Sequence, residues 1–134
     1  MKTGTIGAGI TGAMLVVAAS LNTTGTAAAA AAATSPTSLC GSGYTVRASN
    51  PLGDVPSADV YLLRNGSSAC VATIKRDPAN LSVEIGAWVD NGGGRNLHGA
   101  STYNYGVAVH MSNDDCVNWG GWYGGASYSN TPCP

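Results

Sequence analysis

The sequence predicts an all-β domain, a small antiparallel sandwich or barrel with two disulfides, preceded by a helical signal peptide. Short segments rich in β-forming residues follow one another at 8–15-residue spacing and are separated by turn residues. No segment after residue 40 repeats its apolar residues at the helical period of 3.6. Fourteen of the 19 glycines lie after residue 33, where they favour turns and strands over helices.

The first 33 residues have the three parts of a secretory signal. Lys2 gives the basic start, residues 6–21 form an apolar stretch, and seven alanines follow from Ala27 to Ala33. We expect cleavage after Ala33. The alanine run allows any cleavage position from Ala29 to Ala33. The apolar stretch is shorter than the about 20 residues of a membrane-spanning helix. No membrane span is therefore expected once the signal is removed.

This division leaves a polar leader over residues 34–39 and a disulfide-stapled β domain over residues 40–134. Lipid attachment at Cys40 is not expected, because Thr37 and Leu39 stand where a lipoprotein signal needs Leu and a small residue. Five basic and seven acidic residues remain after cleavage, a net charge of −2. Since they form no basic stripe, nucleic acid and anionic membranes are not expected partners.

All four cysteines follow the predicted cleavage site, at Cys40, Cys70, Cys116 and Cys133. An even number in a small exported domain indicates two disulfides. The gaps of 30, 46 and 17 residues lack the close pairs of a zinc site, so no metal is expected there. Three pairings are open. We favour Cys40–Cys70 with Cys116–Cys133, because these bonds would tie down both ends of the domain.

The first three predicted strands are Tyr44–Ala48, Ala58–Arg64 and Cys70–Lys75, each rich in β-branched or aromatic residues. Residues 50–56 contain two prolines and are predicted to form a loop. Asn65-Gly66 separates the second strand from the third and favours a type I′ hairpin turn.

The longest predicted strand is Leu81–Val89. Its alternating apolar residues are assigned to the core, and they are Leu81, Val83, Ile85, Ala87 and Val89. Trp88 then falls on the opposite face together with Glu84. A flexible, glycine-rich loop follows over residues 90–96, before strands predicted within 101–111, 116–123 and 126–128.

The two histidines give no clear sign of catalysis. His98 is placed in the glycine-rich region and His110 at a strand end, and the chain has no G-x-S-x-G motif. We therefore expect no catalytic residue, no enzyme activity and no cofactor. Residues 113–115 read Asn-Asp-Asp and could contribute oxygen ligands to calcium, but a turn is preferred because the spacing of a binding loop is missing.

The segment Trp119–Tyr123 is the most unusual in the chain, with two glycines between two tryptophans. Because the chain has no Phe, the rings of this segment could instead fill the core. Trp122 and Tyr123 are the candidates for an exposed binding surface, since flat aromatics beside glycines can form a platform for sugars. Asn91 and Arg95, in the glycine-rich loop, complete the candidate binding surface.

Several fragments together resemble the family of spore-associated protein A, secreted proteins of filamentous spore-forming bacteria. They are Cys40–Tyr44, Val60–Leu63, Cys70–Ile74, Cys116–Gly121 and the cysteine near the C-terminus. The resemblance spans essentially the whole mature domain. It implies export, association with the spore or hyphal surface and two disulfides, and it carries over no catalytic residue. Because Trp119 lies in one of the matching fragments, we assign it to the core.

The resulting hypothesis is a non-enzymatic secreted protein of the spore or cell envelope that acts through adhesion or structural contacts. Its expected partner is an envelope or spore-surface polymer. The alternative is a secreted binding module or inhibitor, directed at an envelope polysaccharide or an extracellular hydrolase. Small disulfide-stapled β domains with exposed loops suit this alternative.

Overall fold

Eight strands and one short helix make up the described part of the chain, residues 35–112 and 116–133 of a computed structural model. They are α1 (Pro36–Cys40), β1 (Thr45–Leu52), β2 (Ala58–Asn65), β3 (Ser68–Lys75), β4 (Ile85–Asp90), β5 (His98–Thr102), β6 (Gly106–Ser112), β7 (Asn118–Tyr123) and β8 (Ala126–Asn130). The predicted signal peptide, residues 1–33, and the predicted turn, residues 113–115, lie outside the described residues. Among residues 35–112 and 116–133, no helix is long and apolar enough to cross a membrane.

The strands form two four-stranded antiparallel sheets. The first sheet has the order β1-β2-β3-β6 and the second has the order β5-β4-β7-β8. Their inner faces share one buried apolar cluster, made of Leu52, Ala58, Val60, Ala69, Val71, Ala87, Val89, Val109, Met111, Val117 and Trp119. The predicted all-β class is therefore confirmed, and it takes the sandwich form.

The alternation in β4 decides which residues face the core. Ile85, Ala87 and Val89 are fully buried, as predicted, and Trp88 points outward and stays partly exposed. The strand begins only at Ile85, and Leu81 is 57% exposed, so the predicted start at Leu81 is wrong. The reason is local: Asn80 Oδ1 accepts hydrogen bonds from the backbone N and the Oγ of Ser82, which turns the chain before the strand starts.

The first strand is longer than predicted, because β1 continues to Leu52 and the predicted loop over 50–56 starts three residues too early. Pro51 fits in the strand because β1 is an edge strand that pairs with β2 alone in this sheet. The extension carries Leu52 into the core, where it is 1% exposed.

The hairpin between β2 and β3 has a different turn from the predicted one. Asn65 pairs with Ser68, so the two-residue loop is Gly66-Ser67. Gly66 has φ 56° and Ser67 has no positive φ. A type I′ turn needs positive φ at both central residues, whereas a type II′ turn needs it only at the first, where glycine stands here.

The short helix α1 lies against the outer face of the first sheet. Ser35 caps its N-terminus, because its Oγ accepts a hydrogen bond from Ser38 N at 3.2 Å, and Pro36 occupies the first turn. The buried members of this outer cluster are Cys40, Leu63, Cys70 and Ala72, with Leu39, Tyr44, Tyr61 and Ala108 packed against them. The predicted polar leader thus ends in a helix that covers part of the sheet.

Two disulfides hold the ends of the sandwich, with the pairing that the sequence favours. Cys40 is bonded to Cys70 in β3, and Cys116 is bonded to Cys133. Beside the second bond, Cys133 N donates to Asn118 Oδ1 at 2.9 Å. Asn118 Nδ2 in turn donates to Asp90 Oδ1 at 3.0 Å, which links the end of the chain to β4 and β7. Such a pair of disulfides is typical of an oxidising compartment.

Replacing both Cys40 and Cys70 by Ala should lower the free energy of unfolding by about 3–4 kcal/mol, because the bond closes a 30-residue loop. Urea denaturation measures this loss. Hydrogen exchange at Leu39 and Gly41, whose amides donate within the α1 region, should accelerate in this variant. The matched Cys116→Ala/Cys133→Ala variant should lose similar stability without that acceleration. Unchanged exchange at Leu39 in the first variant would contradict a clamping function for this disulfide.

Candidate functional site

The outer face of the second sheet carries two rows of four residues, one from each strand. Opposed residues in antiparallel strands project to the same side, so the register defines each row. The rows are Ser101–Gly86–Trp122–Ser127 and Gly99–Trp88–Gly120–Ser129. Each row crosses four strands and is about 14 Å wide. We call these eight residues the tryptophan face.

Trp122 lies face-on over the backbone of Gly86 in the neighbouring strand. A Cβ atom placed on Gly86 would collide with Trp122, and the nearest atoms would be Cζ2, Cη2 and Cε2. These are consecutive atoms of the six-membered ring, so that ring covers the glycine. Trp122 is partly exposed, which leaves its outward face open to solvent.

Trp88 makes the reciprocal contact with Gly120. A Cβ on Gly120 would lie 2.7 Å from Trp88 Nε1 and 2.9 Å from Cε2, and it would also collide with the backbone oxygen of Tyr128. Gly120 is thus needed both for the indole and for the approach of β8. Each tryptophan therefore rests on the strand of the other.

The surroundings of the two indoles are small and hydroxyl-bearing. Ser101, Ser127 and Ser129 are exposed. Ser101 Oγ donates a hydrogen bond to Glu84 Oε2 at 3.1 Å, so the carboxylate of Glu84 borders the face. The two rows contain no charged residue. The result is a nearly neutral surface with apolar rings and polar edges.

The four residues of the predicted binding surface do not form one surface. Trp122 belongs to the tryptophan face, whereas Tyr123 follows it in β7 and projects to the opposite side, opposite Ile85. Asn91 and Arg95 lie in the loop that follows β4. Ile85 is at the other end of this strand, and the length of β4 separates the two ends by about 17 Å.

Trp88 was missing from the predicted surface although the sequence carried the signal for it. The two-residue period of β4 puts Trp88 on the side opposite Ala87 and Val89. What the period does not show is that Trp88 meets Trp122. That proximity depends on the register between β4 and β7, which pairs Trp88 with Gly120.

A cavity of about 370 Å³ brings the two histidines together at one end of the sandwich. It is lined by Asn91, Asn96, His98, His110, Met111 and Ser112. His98 is the first residue of β5 rather than part of the preceding loop, and His110 lies within β6, two residues before its end. Among the described residues, no carboxylate lines this cavity and no group of three potential metal ligands occurs.

His110 is engaged by the N-terminal segment rather than by a catalytic partner. Its Nε2 donates a hydrogen bond to the backbone oxygen of Cys40 at 2.8 Å. Its ring meets Tyr44 edge-on, with 5.5 Å between centroids and 71° between planes. These contacts hold the chain after α1 against β6, so they are part of the packing of the outer cluster.

A second cavity, of about 330 Å³, lies at the opposite end and is lined by Pro56, Ser57, Arg76, Asp77, Asn80 and Tyr123. Its polar groups are largely satisfied within the fold. Arg76 binds both carboxylate oxygens of Asp59, at 2.9 and 2.7 Å. Asn80 Nδ2 donates to the hydroxyl of Tyr123 at 2.8 Å. Tyr123 therefore supports the loop before β4.

Lys75 joins two loops beside this second cavity. Its side chain is buried, and Nζ donates to the backbone oxygens of Asn80 at 2.5 Å and Tyr103 at 2.7 Å. Burial lowers the pKa of the Lys75 ammonium, because the charged form is less well solvated there.

Lys75→Met should lower the free energy of unfolding at pH 7 by about 1–3 kcal/mol, because the backbone oxygens of Asn80 and Tyr103 lose a charged, part-buried donor. Urea denaturation measures the change. The folded pKa of Lys75 lies below the unfolded value of 10.5, so the stability of the wild type relative to Lys75→Met should rise as the pH increases from the folded pKa towards 10.5. A variant at least as stable as the wild type at pH 7 would contradict a stabilising function for the ammonium.

Gly86→Ala should lower the free energy of unfolding by about 1–3 kcal/mol, because the added methyl displaces the Trp122 ring. The displaced ring should enter solvent and shift the tryptophan fluorescence to longer wavelength. Gly125→Ala is the matched control, since a Cβ there has no neighbour within 4 Å and should change stability by about 0.5 kcal/mol or less. Equal effects of the two variants would contradict the face-on packing of Trp122.

The comparisons with known proteins leave the tryptophan face to be interpreted from its own residues. No protein-family model, no curated protein and no solved structure matches the chain. The function is therefore inferred from the chemistry of the surfaces, and the tryptophan face is the strongest of them.

Proposed function

We propose that the mature chain is a non-enzymatic secreted protein that associates with the spore or cell envelope and acts by adhesion. The observation that carries this proposal is the tryptophan face. The core of the sandwich lies between the sheets, so Trp88 and Trp122 are on the side that the core does not use. Aromatic side chains are enriched where proteins make contacts with partners.

The rigidity of the face supports a binding function. Gly86 and Gly120 fix the position of both indoles before any partner arrives. A binding group that is already ordered loses less conformational entropy on association, so more of its contact energy appears as affinity. Adhesion to a large polymer also needs a broad and open surface, and the two rows provide one.

Secretion is supported by the chemistry of both ends of the chain. The N-terminal 33 residues have the pattern of a signal peptide. All four cysteines of the chain are paired in disulfides, which persist outside the reducing cytosol. The resemblance to spore-associated protein A adds the spore or hyphal surface as the place of action.

The proposal is tested by sedimentation of the secreted protein with isolated envelopes and washed spores. The full precursor is expressed in a filamentous spore-forming bacterium, and the protein is purified from the medium. The wild type should pellet with these particles, and Trp88→Ala/Trp122→Ala should stay in the supernatant. Tyr103→Ala is the matched control, because Tyr103 is 56% exposed and lies outside the two rows. A wild type that stays in the supernatant with both particles would contradict envelope association.

A further inference from the structure

We infer that the tryptophan face binds a neutral, β-linked polysaccharide chain, with sugar rings stacked on Trp122 and Trp88. This inference rests on the proposed envelope association and names the class of polymer that is bound. The packing of the core does not account for Trp88 and Trp122, since both indoles lie outside the core that the two sheets share.

The orientation of the indoles matches the shape of a sugar ring. In a β-linked glucose-type pyranose the hydroxyls are equatorial, so each face of the ring presents C–H groups. Such a face is apolar and carries a slight positive charge, and it therefore packs on the electron-rich face of an indole. Stacking needs a ring that lies flat on the protein and is open above. Trp122 meets both conditions, because Gly86 lies beneath it and it is partly exposed.

Polar groups at the edges of the face match the hydroxyls of the same chain. Ser127 and Ser129 lie beside Trp122 and Gly120 in β8, and both are exposed. Ser101 and Glu84 lie on the other side and already share a hydrogen bond of 3.1 Å. Hydroxyls both donate and accept, and a carboxylate accepts, so equatorial sugar hydroxyls can find partners on both sides of the indoles.

Charge favours a neutral polymer over an anionic one. The two rows hold no charged residue, and the bordering group is the carboxylate of Glu84. A polymer of phosphates or uronic acids would meet that carboxylate without a cation to offset it, which disfavours the approach. A chain of neutral or N-acetylated hexoses meets no such repulsion.

The spacing of the indoles indicates more than one sugar. Trp88 and Trp122 occupy diagonal positions on adjacent strands, about 7–8 Å apart. One pyranose ring stacks on one indole, so a single sugar engages half of the face. Affinity should therefore rise with oligosaccharide length until both indoles are covered.

The experiment measures binding of the purified secreted protein to insoluble cellulose and chitin, which are neutral and β-linked, and to the anionic polymer polygalacturonate. We expect binding to at least one of the two neutral β-linked polymers. Trp122→Ala and Trp88→Ala should each weaken it about tenfold, whereas Tyr103→Ala should leave it unchanged. Gly86→Ala keeps both tryptophans and should also weaken binding, because it displaces one ring. Thermal melting verifies that each variant is folded.

Three outcomes would overturn the inference. They are binding to none of the β-linked polymers, binding to polygalacturonate alone, and binding that survives both tryptophan substitutions. Association with envelopes is measured separately from binding to the purified polymers. Wild type that pellets with envelopes whose glycans have been digested, and that binds none of the polymers, would point to a protein partner. The adhesion proposal would then stand without a sugar ligand. Wild type that binds the polymers but fails to pellet with envelopes would remove the adhesion proposal and leave the sugar site.

Discussion

The pairing of β4 with β7 determines both faces of the second sheet. On the inner side, Val89 lies opposite Trp119, which is 2% exposed and packs in the core. On the outer side, the same register sets Trp122 against Gly86 and Trp88 against Gly120. Since side chains alternate at every residue, a slip by one position would exchange the two sets. The core and the tryptophan face are thus consequences of one register.

The distance between the two sheets depends on the same strands. Thr73 Oγ1, in the first sheet, donates a buried hydrogen bond to Gly86 O at 2.8 Å. A Cβ on Gly121 would collide with Thr73 Oγ1 and would lie 2.7 Å from Gly86 O. The glycines of β4 and β7 therefore allow close approach on the inner side and carry indoles on the outer side. These two requirements explain the glycines at Gly86 in β4 and at Gly120 and Gly121 in β7.

The two outer faces of the sandwich differ in what covers them. The first sheet has α1 and Tyr44 on its outer side, held by the Cys40–Cys70 disulfide and by the hydrogen bond from His110. On the second sheet, no helix among the described residues covers the tryptophan face, and its indoles are partly exposed. A surface with ordered aromatics and no internal cover is suited to contact with a partner.

The sequence predicts well what depends on neighbouring residues. The period of two in Ile85–Val89 identified the buried residues and turned Trp88 outward. The prediction that Leu81 belongs to the strand and the core was wrong, because the side chain of Asn80 turns the chain there. Periodicity does not reveal that contact. The meeting of Trp88 with Trp122 could not be predicted either, since it requires the register of two strands far apart in sequence.

The central claim is that Trp88 and Trp122 together form a ready-made binding face, and the indole N–H signals of the three tryptophans test it most directly. Titration of the ¹⁵N-labelled protein with β-linked hexamers of glucose and of N-acetylglucosamine should shift the signals of Trp88 and Trp122 with at least one of the two. The signal of Trp119, buried between the sheets, serves as the internal control and should stay in place. Shifts confined to other residues, or no shift at a saturating concentration of either hexamer, would contradict the account.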